Sequence, residues 1–195
     1  YTADPELKEI LSQTVKDLLS TVRPNGSISC VPPEKQPDGP GGDLWERKYV
    51  LLGLDRYYDL VEADPAVLRA MTDQADCIIE QVGEPPKVPI TSLGWSPNHI
   101  ESSTLLEPFM RLYNRTGEKR YLDFARYIVS TGGSEGYDIF RQAYDNVPPH
   151  EMGGPYPKAY EMMSMFEGAV EYYRVTGDEY VRRSFMNLYD NIRRN

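Results

Sequence analysis

The chain has 195 residues, with 21 Lys and Arg against 30 Asp and Glu, a formal net charge of −9. A single domain of that length buries roughly 70% of its unfolded surface and builds a core without staples, and the acidic balance argues against a binder of nucleic-acid phosphates or of an anionic membrane surface. No apolar run nears the ~20 residues of a membrane span, two cysteines make neither a disulfide framework nor a zinc finger, and a content that is 40% hydrophobic with 15 Tyr argues against a disordered chain.

The chain starts at Tyr1 rather than Met and has no secretory h-region, so a cut amino terminus is expected. The first apolar stripe is Leu7, Ile10, Leu11, Val15, Leu18, Leu19 and Val22, at helical spacing. Asp4 can cap this helix with Pro5 in its first turn, and Pro24-Asn25-Gly26 stops it. A second helix is expected from Asp43, with Asp43 and Glu46 as a capping box, through Trp45, Tyr49, Leu52 and Tyr57. A third follows Asp64-Pro65, with Leu68, Met71, Ala75, Ile78 and Val82 inward. The fourth starts near Glu101 and runs through Leu105, Leu106, Phe109, Leu112 and Tyr113. The fifth carries Tyr121, Leu122, Ala125, Ile128 and Val129, the sixth Met162 to Tyr173, and the seventh Val181, Phe185, Leu188 and Ile192. No stretch alternates convincingly as a strand. The expectation is an all-α chain of seven helices forming one domain over residues 1–195.

An internal repeat organises these helices. Tyr113-Asn114-Arg115-Thr116-Gly117 recurs as Tyr173-Arg174-Val175-Thr176-Gly177, a spacing of 60 residues, and Leu51 to Tyr58 is a weaker third copy. Each copy is a helix, a tight turn and a second helix, with Gly as the left-handed residue that ends the first. Pro and Gly concentrate in the loops Arg23–Gly42, Gly83–Pro97 and Gly132–Pro157. Loops of that length inside a compact domain are usually functional. In an up-and-down array they gather at one end, at the amino-terminal ends of helices two, four and six. Those three helices are expected to form the inner row of a helical-hairpin array, with the site at the loop end.

Trp45, Arg47 and Lys48 fall at this end, as do Trp95, Asn98, His99 and Glu101, and His150, Glu151, Tyr156, Lys158, Tyr160 and Glu161. Each has a bland reading beside a functional one. Glu101 and Glu161 suit a first helical turn through the macrodipole, or serve as carboxylates toward a substrate. Lys158 is disfavoured at a helix start, which points to a ligand or a carboxylate partner. Arg47 and Lys48 read equally as solvated cations, and His99 and His150 as loop or core histidines. Trp95 is a hydrophobic plug or a platform for the C–H face of a sugar. Cys30 and Cys77 have no ligand-spaced neighbours, so no metal site is expected from them. Gly39-Pro40-Gly41-Gly42 lacks the Lys-Ser/Thr of a phosphate loop.

Three segments carry a resemblance: Leu44 to Leu54; Glu101 to Pro108 with Tyr113–Gly117 and Arg120-Tyr121-Leu122; and Lys158 to Ser164 with Phe166-Glu167-Gly168 and Tyr173–Asp178. Together they resemble the catalytic domain of the β-L-arabinofuranosidase-like glycoside hydrolases, family 127 and its relatives. The resemblance implies part of an (α/α)6 toroid, six-hairpin-glycosidase-like and incomplete, acting on plant-type or complex glycans. It also implies a zinc-bound cysteine nucleophile and a glutamate acid/base in later helices. No Glu-x-Cys or Cys-Cys pair is present here, so that chemistry is not carried over; the expectation is no cofactor in this chain, with zinc left to longer members. What the resemblance does carry over is a substrate pocket of Trp45, Lys48, His99, Glu101, His150, Lys158 and Tyr160, to which the residue reading adds Trp95.

If paired carboxylates act instead, Glu101 with Glu161 or Glu151 are the candidates. The alternatives left open are a helical-repeat binding module without catalysis, and a six-hairpin uronyl hydrolase or sugar epimerase. The expected partner is a carbohydrate, with no nucleic acid and no membrane. A half-toroid would also bare an apolar edge prone to self-association. The glycan-degrading resemblance and the processed-looking start tilt the expected compartment to the periplasm or outside.

Overall fold

A computed structural model of the chain describes residues 4–32, 35 and 43–194. All seven expected helices are present. They are α1 (Pro5–Leu19), α2 (Leu44–Leu60), α3 (Pro65–Gln81), the fourth in two pieces, α4 (Ile100–Ser103) and α5 (Leu106–Thr116), then α6 (Lys119–Ser130), α8 (Ala159–Thr176) and α9 (Glu179–Arg194). Two further elements lie inside the last long loop. A short antiparallel pair, β1 (Gly133–Ser134) and β2 (Tyr137–Asp138), leads into α7 (Ile139–Tyr144). The Gly39–Gly42 stretch lies outside the described residues. None of the described helices is long and apolar enough to cross a membrane.

The fourth helix breaks for a local reason. Pro108 has no N–H to give Thr104, its partner four residues back. The chain therefore tightens between α4 and α5: the Glu107 amide reaches the Thr104 carbonyl at 3.4 Å, and the Thr104 hydroxyl donates to the Glu101 carbonyl.

The repeat is visible as matched hairpin turns. Gly117 and Gly177 are left-handed, at φ 70° and 68°, and each donates its amide to Tyr113 or Tyr173 at 2.8 Å. The hydroxyls of Thr116 and Thr176 then accept from the amides of Glu118 and Asp178. In the weaker copy, Val61 closes α2 on the Tyr57 carbonyl without a left-handed residue.

α5 packs against both α2 and α8, while α3, α6 and α9 each back one of them, giving the expected inner and outer rows. Phe109 links α5 to Phe124 of α6, with ring centroids 4.4 Å apart, and α7 inserts Phe140 against Phe166 of α8. Gly168 sets the spacing of the inner row. A Cβ there would lie 2.5 Å from the Glu107 amide nitrogen and 2.8 Å from Leu106 Cβ, so only hydrogen lets α8 approach α5 this closely. The outer row is tied by Arg120 of α6, which grips Asp76 of α3.

Three expectations need correcting. Asp43 and Glu46 form no capping box: Asp43 Oδ2 accepts instead from Ser29 and from Arg47, and no side chain caps α2. Arg47 and Lys48 are not solvated but buried. α1 does carry an apolar stripe, yet none of its residues is fully buried, and Leu7, Ile10 and Leu11 stay exposed. Between α1 and α2 runs an apolar groove of about 430 Å³.

Candidate functional site

The loop before α4 and the loop before α8 meet, and Asn98 joins them. Its amide donates to the Gly153 and Tyr156 carbonyls, at 3.4 and 3.2 Å. Its own carbonyl accepts from the Ser134 hydroxyl and the Glu135 amide, both at 2.9 Å. One buried residue thus locks the loop before α4 to the β1–β2 turn through its backbone carbonyl, and to the segment leading into α8 through its side chain.

Glu101 holds the same loop from inside. It is 0% exposed. Its Oε1 accepts from the amides of Trp95 and Ser96, and its Oε2 from the Ser96 hydroxyl. Gly94 precedes them at φ 147°, where a Cβ would collide with the Glu101 carboxylate. Both oxygens are committed to shaping the loop, so the geometry assigns Glu101 to positioning Trp95 rather than to contacting a ligand.

Trp95 is presented outward by this anchor, 53% exposed. The Lys158 ammonium lies 4.4 Å from the centre of its ring and 3.7 Å from Glu161 Oε1. The disfavoured cation at the start of α8 therefore has both an aromatic and a carboxylate partner. Two residues on, Tyr160 leaves the helix in another direction. It is 65% exposed, its ring lies edge-on to Trp45 at 5.7 Å, and its hydroxyl is 2.9 Å from that of Tyr49. Trp45 and Tyr49 are themselves edge-to-face at 5.1 Å.

Lys48 lies beneath these rings. It is 1% exposed, with its ammonium 5.2 Å from the Trp45 ring centre, 5.1 Å from that of Tyr49, and hydrogen-bonded to the Ser164 hydroxyl of α8. Burial pushes its pKa below the usual lysine value, against the pull of Glu107 and Glu167. Lys48 therefore ties α2 to α8 under the aromatic surface and presents no charge to solvent. The Tyr49 phenol is shifted upward by burial and by its bond to Tyr160. Tyr49, Ser164 and Asn98 are the contributors that the residue reading underweighted. Their signal lies in contacts more than 50 residues apart along the chain.

The two histidines differ. His99 starts α4 in the left-handed conformation, φ 52°, with Nε2 3.2 Å from Glu135 and a buried Nδ1 that has no hydrogen-bond partner among the described residues. It clamps the β1–β2 turn beside Asn98. His150 stands on an exposed turn whose polar partner is its neighbour Glu151, and the structure does not join either residue to the aromatic cluster.

The family-type zinc does not fit the cysteines described. Cys30 is exposed in a loop. Cys77 is buried on α3, its Sγ 4.0 Å from the Arg47 guanidinium and its thiol pushed up by burial. A fixed cation beside that sulfur leaves no place for a metal ion.

Comparison with known proteins follows this geometry. The catalytic domain of GH127 beta-L-arabinofuranosidases matches residues 1–195. No curated protein sequence matches the chain. Among solved structures, the GH127 beta-L-arabinofuranosidase Ara127N-Se from Geobacillus stearothermophilus T6 aligns at a TM-score of 0.69 and 19% identity, over 98% of this chain and 33% of that one. The GH127 beta-arabinofuranosidase BT3674 aligns at 0.64 and 15% identity, over 98% of this chain and 31% of its own. The helical hairpins are thus those of an α/α toroid, and the chain spans about a third of the length of these structures.

Proposed function

The chain belongs to the GH127 beta-L-arabinofuranosidase catalytic-domain family, and on that premise we propose that its loop end is the sugar-binding wall of a β-L-arabinofuranoside hydrolase. One observation carries this reading. Trp45 and Tyr49 of α2 meet Tyr160 of α8 in one aromatic group, and Trp95 covers the Lys158–Glu161 pair at the start of the same helix. Aromatic faces pack the C–H surface of a furanose, while a carboxylate and an ammonium beside them bind its hydroxyls.

Glu161, largely buried and 3.7 Å from Lys158, is the carboxylate beside the Trp95 platform. Glu101 holds the loop that carries Trp95, and Glu151, on the His150 turn, lies outside the cluster. A mechanism needing two facing carboxylates thus has one candidate here, and the reading is a wall that binds and orients the sugar. His99 orders the loop beneath Trp95, and Lys48 orders the rings of Trp45 and Tyr49.

Both tryptophans of the chain lie in this cluster, which supplies the test. Titration with methyl β-L-arabinofuranoside is expected to change tryptophan fluorescence saturably. Tyr160→Ala is expected to weaken that binding about tenfold, the loss of roughly 1.4 kcal/mol of aromatic contact. Fluorescence that does not respond to the sugar would overturn the proposal.

A further inference from the structure

The inner row runs α2–α5–α8, so α1, beside α2, and α9, beside α8, form opposite edges of the array. Both edges are apolar and open. On α1, Leu7 and Ile10 are 49% and 53% exposed, and Leu11 lines the groove of about 430 Å³ between α1 and α2. That groove lies on the side of α2 away from α5: Gly53 and Leu60 line it, whereas Asp55 turns to Arg115 of α5. On α9, Met186, Tyr189 and Ile192 are 42%, 54% and 49% exposed. Ser184 and Asn187 bond to α7 from the other side of this helix.

The two flanks carry opposite charges at one spacing. Helical positions advance about 100° per residue. On α1 this places Glu6 and Asp17 beside Ile10, with Lys16 on the opposite side and Lys8 toward Val15. On α9 it places Arg182 and Arg193 beside Met186 and Tyr189, and the Arg193 guanidinium lies 5.6 Å from the centre of the Tyr189 ring. Glu6 and Asp17 are eleven residues apart, and so are Arg182 and Arg193. Eleven residues close on three helical turns, so each pair shares one face, about 16 Å apart. Arg182 already pairs with Glu179 at 3.1 Å, and a guanidinium with five donors can take a second carboxylate. Arg56 of α2 is the basic exception at the groove.

We propose that the α1 flank and its groove take α9 of a second copy of this chain. Met186 and Tyr189 seat against Ile10, Leu11 and the groove, and Arg182 and Arg193 meet Glu6 and Asp17. The charges choose α9 over a second α1, whose carboxylates would repel their own kind. The two surfaces are different patches, so the contact is heterologous. Each joined copy still offers one free edge, and copies add in a row or close into a ring.

Sedimentation equilibrium of the 195-residue chain tests this. The weight-average mass is expected to rise with concentration from 22.3 kDa past twice that value. Ile10→Arg and Tyr189→Arg, both at exposed positions, are each expected to hold the chain at one copy with unchanged helical circular dichroism. Mixed together, they are expected to form a complex of one copy of each and nothing larger, because the mixture keeps one intact flank of each kind. Glu6→Arg with Asp17→Arg, and Arg182→Glu with Arg193→Glu, are each expected to weaken association about tenfold, and mixing the two to restore it. A chain that stays at one copy at every concentration overturns the proposal. So does association that survives Ile10→Arg or Tyr189→Arg, a mixture of those two that stays unassociated, or charge-reversed chains that associate as well as the parent.

Discussion

The two ends of the inner helices are built by different rules. At the turn end the partners are close in sequence or in ion pairs between neighbouring helices: Gly117 and Gly177 close on tyrosine carbonyls four residues back, and Arg115 binds Asp55 and Asp59. At the loop end α2, α4 and α8 all begin without a side-chain cap; of the outer helices, α1, α3 and α9 are capped by Asp4, Asp64 and Asp178, and α6 by no side chain. Uncapped helix starts leave amide donors and partial positive charge unspent. The side chains there bond across the fold instead. The difference teaches that short local turns close the hairpins at one end, while contacts between distant segments order the other.

The largest expected effect breaks what both ends share, the close approach of α5 and α8. Gly168→Leu is expected to cost more than about 3 kcal/mol, because the new side chain meets the α5 backbone rather than a movable side chain. Denaturant unfolding measures it. A variant as stable as the parent would mean that the inner row can spread, and the contrast between its ends would lose its common frame.

Glu101→Ala strikes the loop end alone. It leaves two amides and a hydroxyl without their acceptor, and is expected to cost about 2–3 kcal/mol. It should also shift Trp95 emission while the turn-end hairpins keep their helicity. Unchanged emission would separate Glu101 from the presentation of Trp95.

Legibility divides along the same line. The turn end is written in short words, Thr-Gly and Asp-Pro, that act over four residues, so its hairpins follow from the chain alone. The caps at Asp4 and Asp64 are of this kind. α7 is not, because six residues make under two turns and show no recurring apolar period. The break before α5 was encoded in Pro108, whose lost donor is outweighed in a simple apolar count by Leu105, Leu106 and Phe109. At the site, the clustering of Trp45, Trp95, Lys158 and Tyr160 follows from loop placement. The roles of Glu101 and Lys48 do not: a carboxylate in a first turn and a lysine one turn in look solvent-facing until Ser96 and Ser164 are brought against them.

The smallest effect concerns the sign of a charge beneath the aromatic surface. Lysine in the unfolded chain keeps its proton up to about its ordinary value of 10.5, while buried Lys48 gives its proton up at lower pH. In the window below 10.5 the unfolded state therefore binds more protons, and stability from this residue rises with pH. Glu107 and Glu167 oppose the shift and keep it modest. Lys48→Met has no such dependence. The parent should thus gain on the variant, by under about 1 kcal/mol, as the pH is raised from about 7 to about 9.5. If Lys48→Met and the parent track each other across the range, Lys48 is solvated after all, and the aromatic surface rests on Tyr49, Tyr160 and Trp45 without an ammonium beneath it.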